Sequence, residues 1–303
     1  MNTALVFIKP HAVNDAVVSL SREHLAAAGV EVVKDGRLTG AEILKGSIID
    51  DHYAALAANA VKLAPKDLNV PDENRAKFQA EFGKAYDAAA ADGTVINLAS
   101  WQAENPGMSA AEIERRWRAG KTVKLAPGTY VSEIEGGAGK LVVNGFYASM
   151  REKFISDGAL VHWFLVRFPE AALSWAAFRE ATIGATNPEE AAPGSLRRRV
   201  LDEWAALGLP GQPSTADNGV HASAGPVEGL RERAIWLGTA LDADPFGAEL
   251  LAAGVSRATV ERLCANEVVS LLGATGPAYD LTEGVDSARA AAAILEWQQA
   301  GGQ

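Results

Sequence analysis

Two apolar runs constrain what this chain can fold into. Residues 159–168 crowd Leu160, Val161, Trp163, Phe164, Leu165 and Val166 into one stretch. Residues 3–9 run through Ala4, Leu5, Val6, Phe7 and Ile8 before Lys9-Pro10 closes them. Short apolar runs rich in β-branched and aromatic residues read as buried strands. Between and after them the pattern changes. Val13, Val17, Leu20 and Leu25 are spaced for a helix over 12–28, with Gly29 as terminator. Residues 30–38 suit a second strand, and Pro169 suits the first turn of a helix reaching about Thr182.

The histidine at Asn218-Gly219-Val220-His221-Ala222-Ser223 is the residue best placed for chemistry. It ends a short apolar run before a small-residue turn and a helix over 227–237. One ring nitrogen of such a histidine can face a cleft while the other is held by a hydrogen bond. Glu232, eleven residues on, is the natural orienter. A core histidine without chemistry is the plainer alternative for this stretch taken alone.

Three motifs together point further. Asn218-x-x-His221-x-Ser223 resembles the Asn-x-x-His-Gly-Ser stretch of nucleoside diphosphate kinases. Gly184-Ala185-Thr186-Asn187-Pro188, followed by Pro193-Gly194-Ser195-Leu196-Arg197, resembles their Gly-x-Thr-Asn-Pro…Pro-Gly-Thr-Ile-Arg segment. Ala4–Val13 resembles their first strand, which ends Lys-Pro-Asp-Ala-Val; here Lys9-Pro10-His11-Ala12-Val13 stands in its place.

The resemblance covers 1–59 and 144–238. It implies an α+β fold: a ferredoxin-like βαββαβ antiparallel sheet covered by helices. Residues 60–143 would be an inserted α+β segment in the helical hairpin, and 239–303 a helical C-terminal extension. The resemblance also implies a phosphotransferase that moves the terminal phosphate of a nucleoside triphosphate to a diphosphate through phosphohistidine at His221. Glu232 would orient His221, and Lys9, Arg197 and Arg179 would neutralise transferring oxygens. Thr186 and Tyr53 would donate hydroxyl hydrogen bonds. Asn218 would hold the ribose or phosphate side, and Phe146 would stack on the base. Magnesium would come bound to the nucleotide phosphates, with no dedicated carboxylate cage. The family's arginine falls at Glu180, one position after Arg179, so a one-residue bulge is needed to bring Arg179 to the site.

Composition sets the remaining expectations. The 303 residues are 48% apolar and 22% charged, enough for a sizeable core. Net charge is −10, which disfavours nonspecific nucleic-acid binding. The single Cys264 excludes an intrachain disulfide. No leader or membrane-length run stands out, so a cytoplasmic, non-membrane protein is expected, with a homo-oligomer implied.

Within 60–143, Phe78, Phe82 and Tyr86 are spaced as one apolar helix face, Ser109 is a cap for 110–118, and 123–134 reads as a hairpin. Gly136–Leu141 fails the phosphate-loop pattern because residue 134 is Ile and 141 is Leu. Helices are expected over 247–273 and 286–300, and a loop over 205–216. Two further readings stand beside the nucleotide kinase: a related kinase whose acceptor is set by 60–143, and a nonenzymatic nucleotide-binding scaffold.

Overall fold

The computed structural model describes residues 1–302; Gln303, last residue of the expected extension, lies outside the described residues. The chain divides into two compact units, 1–40 with 158–302, and 41–157. Residues 41–59 and 144–157 therefore pack with the 60–143 segment. Packing divides the chain elsewhere than the motif boundaries do.

The first unit is built on four antiparallel strands. β1 (Asn2–Ile8) leads to α1 (Asp15–Ala27) and β2 (Glu31–Thr39). β3 (Leu160–Phe168), a helical stretch, α2 (Leu196–Asp202) and β4 (Val220–Ala222) complete the sheet. The order is β2-β3-β1-β4, the ferredoxin-like arrangement of a βαββαβ chain. β1 is central and every residue in it is buried, which is why its run is continuous rather than alternating. Ala4, Val6 and Ile8 join Val17, Leu20 and Leu25 of α1 and Leu196 and Val200 of α2 in one core. Phe7 instead packs at a tilt against Trp236 of α3 (Pro226–Leu237), with centroids 4.4 Å apart.

The C-terminal region forms its own core in this unit, with Val227 and Leu230 of α3 against Phe246, Leu250, Val260, Ile294 and Trp297. Its helices are Pro245–Ala252, Arg257–Cys264 and Ser287–Gln299. The helical structure expected over 247–273 stops at Cys264: Val268–Leu271 and Ala274–Pro277 form a hairpin. Leu272 and Gly273, both at positive φ, make its two-residue turn. Arg233 is buried, donates to both Asp244 oxygens at 2.5 and 2.9 Å, and reaches the Thr3 carbonyl at 2.5 Å. Asp244 also caps the helix that follows it.

The expected helix from Pro169 begins only at Trp175. It runs Trp175–Ala177 and continues as a π-helix over Phe178–Ile183.

The second unit has its own four-stranded sheet, Thr122–Ala126, Thr129–Glu133, Leu141–Val143 and Val95–Asn97, the last pair parallel. The hairpin over 122–133 turns at Pro127-Gly128, where Gly128 takes φ 68. Ser109 accepts the Glu112 N–H and starts Ala110–Ala119. Phe78, Phe82 and Tyr86 do meet, at 4.9 and 5.3 Å, but not on one helix. Gly83 ends the first helix in the left-handed region and Tyr86 opens the next. Arg151 and the Tyr147 hydroxyl both hold buried Asp50, joining Ile48–His52 to Tyr147–Ile155. Among the described residues no helix is long and apolar enough to cross a membrane.

Candidate active site

β4 carries His221 directly opposite Phe7 of β1, and the two rings stack at 4.6 Å. The turn into β4 requires Gly219: its φ is +82, and a Cβ there would meet Val200 Cγ1 at 2.9 Å. On the far side, α3 presents Glu232. Its Oε1 lies 2.6 Å from His221 Nε2, and its Oε2 accepts the Ser223 hydroxyl at 2.5 Å. Ser223 Oγ in turn accepts the Leu5 N–H at 3.0 Å, so β1, β4 and α3 are locked together at the histidine. A carboxylate only accepts, so Nε2 carries the proton and Nδ1 the lone pair.

Burial lowers the His221 pKa to about 3; the charges of Lys9 and Arg197 act in the same direction and Glu228 opposes them. The imidazole is neutral at pH 7, the form a nucleophile needs.

A cavity of about 660 Å³ opens beside this histidine, lined among others by Arg179, Thr186, Arg197, Glu228 and Glu283. Arg179 reaches it through the π-helix. That helix holds one extra residue per turn and closes with the Gly184 N–H on the Arg179 carbonyl at 2.9 Å. The needed bulge is thus present, and Arg179 is ion-paired there with Glu283.

Arg197 is buried, and donates to the Val220 and Gly184 carbonyls at 2.9 and 2.7 Å. Burial and Arg179 lower its pKa to about 10, so it keeps its charge at pH 7. Gly184 takes φ +95, and a Cβ on it would lie 2.4 Å from Ser195 Oγ.

Thr186 lines the cavity, while Asn218, 1% exposed, does not; its amide donates to the Thr186 carbonyl at 3.0 Å. Asn218 thus braces the Thr186 loop. Lys9 Nζ donates to the Ala216 carbonyl at 3.3 Å, and its charge reaches His221 although it does not line the cavity.

Tyr53 and Phe146 belong to the second unit. Tyr53 lies edge-on to His52 at 4.6 Å. Phe146 meets Trp117 and Tyr130 edge-on, and these three with Arg118 and Thr122 line a cavity of about 600 Å³.

Ser223, Glu228, Glu190 and Glu283 escaped sequence reasoning as site residues. Ser223 lay inside the histidine motif but had no assigned role. Glu228 stands one helical turn before Glu232, a spacing that puts both carboxylates on one helix face and was legible once α3 was placed.

The chain is similar in structure to nucleoside diphosphate kinases. The enzyme from Encephalitozoon cuniculi is 16% identical, covering 81% of this chain and 93% of its own, with TM-score 0.38. The enzyme from Borrelia burgdorferi, solved with vanadate and ADP, is 16% identical over 78% of this chain and 86% of its own, with TM-score 0.35. That from Pyrobaculum aerophilum is 16% identical over 77% and 94%, with TM-score 0.33. No family model and no curated protein matches the chain. These superpositions are loose, and the chemistry of the site has to follow from its own residues.

Proposed function

We infer that the protein is a phosphotransferase of the nucleoside diphosphate kinase type, working through phosphohistidine at His221. The observation that carries this is a neutral histidine with Nε2 fixed by Glu232, at the wall of a cavity that also holds Arg179 and Arg197. Nδ1 attacks the terminal phosphorus of a nucleoside triphosphate, and the diphosphate leaves. Another nucleoside diphosphate then takes the group by the reverse path.

The work of the chain is positioning and charge stabilisation. Arg179, Arg197 and Lys9 offset the charge of the transferring oxygens, and Thr186 donates its hydroxyl. Glu232 keeps the ring in the reactive tautomer and stabilises positive charge as the N–P bond forms. Glu180 and Glu190 give the cavity wall hard oxygen donors, a set that fits a magnesium ion carried on the nucleotide. When bound, that ion would share the neutralisation of phosphate charge.

Isotope exchange tests the reading. With unlabelled ATP and labelled ADP alone, a ping-pong enzyme moves label into ATP. The chain should do so, and His221→Ala should not. Exchange persisting in folded His221→Ala removes the proposal.

A further inference from the structure

Glu228 lines the cavity, yet transfer between nucleotides has no use for it. It sits in the first turn of α3, and its Oε2 accepts the Ala224 N–H at 2.8 Å. It shares the cavity wall with His221, Arg179 and Arg197. A diphosphate acceptor brings its own nucleophilic oxyanion. It needs no base, and a carboxylate next to it is repulsive. A hydroxyl acceptor has the opposite needs: it is neutral and must lose a proton as it attacks.

We propose that Glu228 is the general base that lets phosphohistidine at His221 pass its phosphoryl group to a hydroxyl acceptor, an alcohol or water. This rests on His221 being phosphorylated. The acceptor oxygen attacks phosphorus and an O–P bond forms. The N–P bond breaks and its electron pair returns to Nδ1. The hydroxyl proton passes to Glu228 and then to solvent. No further reactant is needed.

The surroundings of Glu228 suit this task. Burial, then the neighbouring Glu232 carboxylate, raise its pKa to about 7, with Glu283 adding and His221 and the Ala224 N–H opposing. Tyr279 also stands within its electrostatic reach, and Arg179, Arg197, Glu180 and Glu190 share the cavity. A base poised near the working pH gains most from proton transfer.

The test uses water and glycerol as hydroxyl probes. The full chain is labelled from γ-labelled ATP, freed of nucleotide, and left in buffer, with glycerol, or with GDP, across the pH range around neutrality. Wild type should release label as inorganic phosphate and glycerol phosphate, at a rate that rises through about pH 7. Glu228→Gln should slow that release by about 100-fold and flatten its pH profile, a larger loss than it causes in transfer to GDP. Release from Glu228→Gln at the wild-type rate, or discharge of wild type to GDP alone, overturns the proposal. A chain that takes no label from ATP overturns the parent reading and this one with it, and shows this before the second step begins.

Discussion

Arg179 of the π-helix is ion-paired with Glu283, which follows the helix Ala278–Thr282. A triphosphate entering the cavity has to compete with this carboxylate for the guanidinium. Glu283→Gln is therefore expected to tighten ATP binding. A part-exposed pair contributes up to about 1 kcal/mol, so the gain should be up to about fivefold in Kd. Titration calorimetry on both proteins reads it. Unchanged or weaker binding would place the phosphates away from Arg179.

The charge of Lys9 bears on His221, and on the proposed reaction it is expected to act through that charge rather than through packing. Lys9→Ala should slow phosphohistidine formation by about 100-fold, the scale for losing one preorganised electrostatic donor. Rapid-quench measurement of the first half-reaction checks it. The thermal midpoint should move less than the rate, because the contact of Lys9 Nζ with the Ala216 carbonyl is exposed. Arg197→Ala should lower both rate and stability, since it also strips donors from the Val220 and Gly184 carbonyls.

Arg233 and Asp244 form a pair whose side chains are 1% and 0% exposed. Removing one partner leaves a buried charge uncompensated, at about 3–5 kcal/mol. Arg233→Ala should show that loss in urea unfolding, and it should loosen the C-terminal helices, since Asp244 caps the first of them. A loss below about 1 kcal/mol would mean that water or another cation reaches Asp244.

Glu228 makes a signed prediction for stability. Its pKa is raised in the folded chain, so the native state holds this proton more tightly than the unfolded chain, where a glutamate titrates near about 4.3. The stability this brings is present below that pH and lost as pH rises through about 7. Glu228→Gln lacks the proton altogether. Its thermal midpoint relative to wild type should rise steadily from acid to neutral pH. His24 and His162 are lowered alike in both proteins, and His221, lowered further still without the Glu228 charge, is neutral in both native states over this range, so all three cancel in the difference. A difference that stays constant with pH would contradict the raised pKa of Glu228.

Much of this fold was legible because burial leaves a simple imprint. β1 is covered on both faces, so its sequence is a continuous apolar run, whereas β3 alternates buried Phe164, Val166 and Phe168 with half-buried Trp163 and Leu165. The His221–Glu232 relation was legible because a strand, a turn and a helix fix that spacing. The need for a bulge at Arg179 could be read from a one-residue offset, and the π-helix meets it. Its pairing with Glu283 could not be read, because the two meet only through tertiary packing. The hairpin over 268–277 was hidden because Val268–Leu271 is too short to tell from a helix segment by periodicity. The division at 40/41 and 157/158 was hidden for a related reason: motif matching follows short local patterns, while packing follows which apolar faces meet.

The central claim is that His221 carries the phosphoryl group, and direct detection tests it. The full chain is incubated with γ-labelled ATP and magnesium, and the labelled protein is treated with acid and with base before its peptides are mapped. The account predicts label that is lost in acid, survives base, maps to the peptide containing His221, and is absent from folded His221→Ala. Label that survives acid, maps elsewhere, or persists in that variant would contradict it.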